Sequence, residues 1–253
     1  MNNHSNEVHG FARKWIVFKR YNMRMGWESA RTQARMKLHP LPVREYLQRL
    51  DRNAIETMRA HYQDAADRGE SSEGLKYLNA PRYLPRSTRR AQELNLDRLP
   101  PQRILDLGSG VGYFPWVCRN LGHETIGLDT GDVPAYIEMM KLLEIPHVTH
   151  RIMPMTLLPD LGARFDLITA FQILFSHYNG SCQNERWSLE EWDFFLHDLS
   201  TRLTSQGRIF LRFNRETRDG HIPTELADFF RRRGAKVRRA CVIFNTKNAA
   251  LSG

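Results

Sequence analysis

From Arg103 onward the chain alternates short apolar runs with stretches of helical period. ILDL (104–107), TIGLD (125–129), HVTHRI (147–152), FDLITAF (165–171) and RIFLRF (208–213) have the length and the β-branched or aromatic content of strands. Between them, residues 114–121 and 134–143 read as helices. A longer helix is predicted over 189–203, where Ser188 and Glu191 stand at capping-box spacing and Trp192, Phe195, Leu196, Leu199 and Leu203 share one face. A last helix, 225–233, ends at Gly234, where a residue that accepts a positive φ is wanted. Strands alternating with helices predict an α/β fold, a doubly wound and mostly parallel sheet covered on both faces. Right-handed crossovers then put a ligand at the carboxyl ends of the strands, near the switch point.

The first hundred residues follow another pattern. HPLP (39–42) interrupts any helix running into it, after which Val43, Leu47, Leu50, Ala54 and Met58 recur at helical spacing and predict one amphipathic helix to about Tyr62. DRGESSEG (67–74) reads as a loop, the segment holding Pro81 and Pro85 as a break followed by a short helix, and PPQ (100–102) as punctuation. The expected organisation is therefore a mainly helical extension over 1–102 and a sheet domain over 103–253.

Charge sharpens that division. The net charge is +9, and the whole excess lies in residues 1–103, with 20 Lys plus Arg against 11 Asp plus Glu, while the remainder holds 17 of each. A basic extension suits nucleic acid, an anionic surface or an anionic substrate, or it is simply a solvated helical attachment. No apolar run is long enough to span a bilayer, and Trp15–Phe18 is too short for the core of a secretory signal. Cys118, Cys182 and Cys241 are odd in number, widely spaced and without a CxxC pair, which predicts free thiols in a reducing compartment and argues against a zinc site. A cytoplasmic location is the resulting expectation.

The candidate chemistry centres on ILDLGSGVGYF (104–114), a strand running into Gly108, Gly110 and Gly112. Glycines there let backbone N–H groups approach a ligand. A dinucleotide fingerprint would need glycine where Tyr113 stands, and no Gly-Lys-Ser/Thr follows to make a P-loop. Asp106 precedes the first glycine, welcome beside a cation and repelled by a pyrophosphate. The next predicted strand ends in Asp129, 23 residues later, an acidic side chain able to accept hydrogen bonds from both hydroxyls of a ribose. As a helix cap, Asp132 ahead of Pro134 suits better than Asp129.

This combination resembles motif I and the second-strand acid of the class I, Rossmann-like S-adenosylmethionine-dependent methyltransferases, over about residues 103–245. The resemblance implies a sheet of six or seven strands and S-adenosyl-L-methionine as cofactor. It implies that Asp106 orients the loop and the cationic methionine end, that Gly108, Ser109, Gly110 and Gly112 form the cradle, and that Asp129 holds the ribose. Phe171, closing the fourth strand, would stand beside the methyl group. Many relatives hold the adenine with an acid after the third strand; here the chain reads RIMPMTLLPD, so backbone near Met155 and the apolar surface of Met153 or Leu157 would take that place. After Gly234 no convincing turn signal precedes Asn245, so whether the family's antiparallel seventh strand is present, merged with the sixth or replaced by an N-terminal segment is left open by the sequence.

Methyl transfer is a direct displacement, so the protein's work is alignment and exclusion of water, with no metal required. A base is needed for a hydroxyl or a protonated amine, and His177, just past the fourth strand, is the candidate. Gln172, Tyr178 and Asn214 are candidate substrate contacts, whereas His150 reads as structural. Cys118 and Cys182 have no surroundings that would activate a thiol. The favoured acceptor is an O or N nucleophile on a small or medium-sized metabolite, an anionic one included. A nucleic-acid methyltransferase whose arm grips phosphates and a non-catalytic cofactor-binding or interaction domain are the alternatives; oligomeric state is left open.

Overall fold

The computed structural model describes residues 30–70, 72–176, 186–214 and 222–245. Seven strands form one sheet: β1 (Arg103–Leu107), β2 (Glu124–Asp129), β3 (His147–Thr149), β4 (Phe165–Phe171), β5 (Leu203–Arg212), β6 (Lys236–Arg238) and β7 (Cys241–Asn245). Their order is β3-β2-β1-β4-β5-β7-β6, with β7 antiparallel to both of its neighbours and the other pairings parallel. The antiparallel seventh strand, left open by the sequence, is thus present, and the sheet has the larger of the two strand counts expected. A tight turn at Arg239 and Ala240 joins it to β6, with Arg239 at φ 51°, a conformation usually given to Gly or Asn.

The strands are apolar on both sides because both faces are covered. Leu105 and Leu107 of β1, Ile168 and Ala170 of β4, and Ile209 and Leu211 of β5 point into one core with α7 (Leu189–Thr201) and α8 (Thr224–Arg232). Ile104, Leu167, Phe171 and Phe210 point the other way, into a core shared with α5 (Tyr113–Asn120), α6 (Pro134–Leu142) and the helices that precede the sheet. The capping box of α7 forms as read, Ser188 Oγ accepting from Glu191 N and Glu191 accepting from Ser188 N at 2.7 Å. Asp132 does not cap α6. Val133 occupies the cap position without a side-chain bond, and Asp132 pairs with Arg151 instead. From β3 to β4 the chain crosses through 150–164 without a helix. That crossing is pinned to α7 by buried Asp198, which accepts from Leu158 N, and by Arg202, which donates to the Leu158 and Pro159 carbonyls.

Ahead of the sheet, residues 30–38 form helix α1, followed by α2 (Val43–Arg49) and α3 (Arg52–Asp67). The single helix expected from Val43 to Tyr62 is therefore two. Asp51 breaks the run by accepting from Ala54 N as the cap of α3, although the apolar spacing continues across it. A 3-10 turn (Leu75–Leu78) leads into α4 (Ala80–Glu93), a full helix where the prolines had suggested only a short one. Pro81 sits in its first turn behind the Asn79 cap, where no backbone donor is needed; only Pro85 is interior. Leu84, Ala91, Ser87 and Thr88 of α4 are buried, Leu84 and Ala91 in the core that α4 shares with α2, α5 and the sheet. Three polar ties reinforce the docking: Glu93 pairs with Arg212 at 2.5 Å, Arg208 donates to the Leu94 carbonyl, and Arg35 of α1 forks onto Asp97. No described helix is long and apolar enough to cross a membrane.

Leu84 is fully buried in the core that joins α4 to α5 and the sheet. Leu84→Ala is expected to cost about 2–5 kcal/mol of unfolding free energy, read from the shift of the urea midpoint at unchanged slope. A loss below about 0.5 kcal/mol would show that α4 does not fold into this core.

Candidate functional site

Parallel pairing brings the carboxyl ends of β1, β2 and β4 level, Leu107 standing opposite both Leu128 and Ala170. The chain that leaves β1 turns at once through the glycines. Gly108 N and Ser109 N both donate to the Leu128 carbonyl, at 2.7 and 3.2 Å, and Gly110 N donates to Asp129 Oδ2 at 2.7 Å. Asp129 Oδ1 accepts from Thr130 N at 2.9 Å, so the loop and the end of β2 are held as one piece. Gly108 takes φ 64°, and a Cβ there would lie 1.9 Å from Ile173 Cγ2. Gly110, at φ 54°, has open space where its Cβ would be. Gly112 opens α5 and packs on Met140.

Above this edge lies a cavity of about 820 Å³. Of the residues singled out in the sequence, it brings together Asp106, Gly108, Ser109, Gly110, Asp129, Phe171, Gln172 and Asn214. Gly112 and Met155 stand outside its lining. Met155 is half exposed, and Ile152 and Met153 form the wall in its stead. Leu157, the other apolar candidate there, is exposed as well. His177, Tyr178 and Cys182 lie outside the described residues. Cys118 is buried in α5, and burial pushes its thiol well above the usual range, as befits an inert core residue.

Asp106 is 3% exposed, with the Thr169 hydroxyl donating to its Oδ1 at 2.7 Å. Burial lifts its carboxyl to about 7, against the opposing pull of that hydrogen bond and of the Arg90 guanidinium. Burial also raises Asp129, partly offset by its two backbone donors. Arg90, from α4, lies over the Phe171 ring at 4.4 Å and donates to Gln172 Oε1 at 2.8 Å. Desolvation lowers its pKa, and the nearby Asp106 charge works the other way. Gln172 itself is held at φ 63°, its N donating to the Arg212 carbonyl at 2.6 Å and its carbonyl accepting from Asn214 Nδ2 at 3.1 Å. A non-glycine residue in that region is strained, and here it sits where β4 opens into the cavity.

Several lining residues escaped the sequence reading. His150, taken as structural, lines the cavity with a buried Nε2 that has no hydrogen-bond partner among the described residues. The Tyr113 hydroxyl is likewise buried and unpartnered in the wall. Lys76, Tyr77, Arg82, Tyr83, Arg86 and Arg90 come from the helical segment before the sheet. The signal for the arginines was legible in principle, because Arg82, Arg86 and Arg90 recur at four-residue steps on one helix face. His150 carried none beyond its place at the end of β3.

No family model matches the sequence, and no curated protein matches it. Solved structures do resemble it in fold. The 1,6-didemethyltoxoflavin-N1-methyltransferase of Burkholderia thailandensis is 16% identical, with 76% of this chain and 88% of that one covered and a TM-score of 0.44. The magnesium protoporphyrin IX methyltransferase of Synechocystis is 14% identical, covering 65% and 84%, with a TM-score of 0.41. A TehB-like methyltransferase of Corynebacterium glutamicum is 16% identical, covering 76% and 97%, with a TM-score of 0.40. All three are methyltransferases by name, and the seven-stranded sheet, with β7 antiparallel between β5 and β6 and helices on both faces, is Rossmann-like. Likeness at this level says nothing of the acceptor.

Gly108 and Gly110 share a positive φ but differ in room. Gly110→Ala should cost only the conformational strain, about 1–2 kcal/mol, whereas Gly108→Ala adds the collision with Ile173 and should cost more. Urea unfolding of the two variants checks the order. Equal losses would mean that Ile173 yields freely.

Proposed function

We propose that this chain is an S-adenosylmethionine-dependent methyltransferase acting on an O or N nucleophile of a small or medium-sized metabolite. The observation that carries the reading is a cavity at the carboxyl edge of the sheet, floored by a glycine cradle and flanked by two carboxylates at the ends of adjacent strands. The residues fit the cofactor in three respects. Asp106 is a buried carboxyl with a single hydroxyl donor among the described residues, suited in its ionised form to the cationic methionine end. Gly110 leaves open the space that a side chain would fill. His150 Nε2 is a buried polar atom awaiting a partner.

On this reading Asp106 and the backbone of Gly108, Ser109 and Gly110 hold the ammonium end, and Arg90 takes the carboxylate beside it. Asp129 keeps a lone pair on each oxygen after its backbone bonds and uses them for the ribose hydroxyls. His150, with the apolar surfaces of Ile152 and Met153, replaces the missing acid on the adenine side. The cofactor supplies a methyl group already activated by its sulfonium. The chain's part is to hold the acceptor in line and to keep water out. Phe171 and the strained Gln172 stand at the transfer side of the cavity, with Asn214 fixing the Gln172 carbonyl. Where the acceptor must lose a proton, His177, the residue after Ser176 of the cavity wall, is the assigned base.

Isothermal calorimetry with S-adenosylhomocysteine tests the reading. The unmutated protein should bind it, and Asp129→Ala should weaken it at least about thirtyfold, the worth of two hydrogen bonds to a charged group. Absence of binding to the unmutated protein sinks the proposal.

A pH series gives an independent check on Asp106. Its carboxyl is raised in the free protein, so the stability it contributes is fully present below the ordinary carboxylate range and is lost as pH rises through about 7. An ammonium-bearing ligand needs the ionised form. Affinity for S-adenosylhomocysteine should therefore strengthen by about tenfold between roughly pH 6 and 8, with proton release below that midpoint. Asp106→Asn should bind more weakly and without the slope.

A further inference from the structure

One wall of the cavity comes wholly from the segment before the sheet, and it is cationic. Lys76 and Tyr77 reach it from the 3-10 turn, and Arg82, Tyr83, Arg86 and Arg90 from α4. The three arginines lie at four-residue steps and so form a row about 12 Å long, about 6 Å per step. Like charges at that spacing repel, and the usual remedy is a neighbouring carboxylate. Elsewhere this chain uses that remedy, as in Arg35–Asp97, Arg212–Glu93 and Arg202–Asp198.

The α4 row does not. Among the described residues Arg82, Arg86, Arg90 and Lys76 form no ion pair. Arg86 and Arg82 instead lean on the Tyr83 ring, at 4.8 and 5.7 Å from its centroid, and Lys76 on Tyr77 at 4.8 Å. Tyr77 in turn packs on Tyr83 and Tyr136, so the cations are mounted on an aromatic shelf. The cavity's carboxylates have other partners, Asp106 the Thr169 hydroxyl and Asp129 two backbone N–H groups. Arg90, the innermost of the row, is engaged with Gln172 and Phe171. Arg82, Arg86 and Lys76 are left with their charge unspent.

We infer that Arg82 and Arg86, assisted by Lys76, form a phosphate-binding subsite, and that the methyl acceptor is a small phosphorylated metabolite anchored there. This rests on the methyltransferase reading above, which puts the cofactor at the Asp106 end. Two guanidinium forks and an ammonium offer more donors and more charge than a lone carboxylate can use, and they match a doubly charged phosphate. The helix rise sets the phosphate about 6–12 Å along the wall from the level of Arg90. The acceptor therefore carries its phosphate at the end away from its nucleophile.

The test uses the full chain and two probes measured separately by calorimetry at low salt, inorganic pyrophosphate and S-adenosylhomocysteine. Pyrophosphate should bind saturably. Arg82→Gln with Arg86→Gln should weaken it at least about tenfold, and Lys76→Gln by less, while affinity for S-adenosylhomocysteine stays within about twofold. Both arginines are exposed, so the double variant keeps the core intact. The inference is overturned if pyrophosphate does not bind, if the double variant binds it equally well, or if malonate binds as tightly as pyrophosphate. It is also overturned if a single-stranded RNA of about twenty nucleotides binds through these arginines, with a steep salt dependence, while pyrophosphate does not. If pyrophosphate binds as expected and S-adenosylhomocysteine does not, the methyltransferase reading falls, and the assignment to an acceptor with it.

Discussion

A carboxylate kept out of water sets the terms for this site. Asp106 is the penultimate residue of β1, which has parallel neighbours on both sides; it is almost wholly buried at the floor of the cavity, and its ionised form is correspondingly costly. Two things offset that cost in the chain itself, the Thr169 hydroxyl from β4 and the Arg90 guanidinium from α4. The segment before the sheet is therefore part of the site's electrostatics as well as its wall. Arg90 stands where it does because Leu84 is buried beneath α4 and Glu93 and Arg208 fasten the helix to β5.

The same constraint explains the glycine turn. β1 and β2 end level, and the turn must pass close over β2 for Gly108 N and Ser109 N to reach the Leu128 carbonyl. At Gly108 that path leaves no room for a Cβ beside Ile173, and Ile173 follows Gln172, whose own backbone is strained. β1, β2 and β4 thus meet in one packed corner, and the polar groups that emerge from it are fixed by backbone before any ligand arrives. On the proposed reading this is preorganisation: the hydrogen bonds from Gly110 N and Thr130 N aim Asp129 in advance.

The corner was legible in the sequence for a physical reason. Strands buried on both faces must be nearly continuous apolar runs, so ILDL, TIGLD, FDLITAF and RIFLRF stand out, and the departures from apolarity at Asp106 and Asp129 stand out with them. The α7 capping box is equally local and equally readable. What failed to show depended on context. Pro81 and Pro85 read as breaks, yet one needs no donor and the other bends no essential contact, so α4 forms whole. The β6–β7 turn uses Arg239 and Ala240 where Gly, Asn or Asp would have announced it, because pairing of β7 with both neighbours holds the turn in place. Apolar spacing ran on across Asp51 and hid the break between α2 and α3. His150 became visible only once the fold turned its Nε2 away from every partner among the described residues.

The charge distribution acquires a meaning at the level of the cavity. Its acids come from the strand ends, and its cations come chiefly from α4 and the preceding turn, within the first 103 residues that together carry the chain's whole basic excess. Were the two sets in contact they would neutralise each other. Unit charges about 4 Å apart attract by about 4 kcal/mol at an effective dielectric near 20, while about 12 Å, the length of the arginine row, reduces this to about 1.4 kcal/mol. Arg90 is the α4 cation whose charge bears on Asp106. One cavity thus holds both acids and cations, and on the proposed reading each set recognises a different molecule: the cationic end of the methyl donor is drawn to the floor, and the anionic end of the acceptor to the α4 wall. Opposed fields of this kind orient both partners toward the space between them, which is where Phe171 and Gln172 stand.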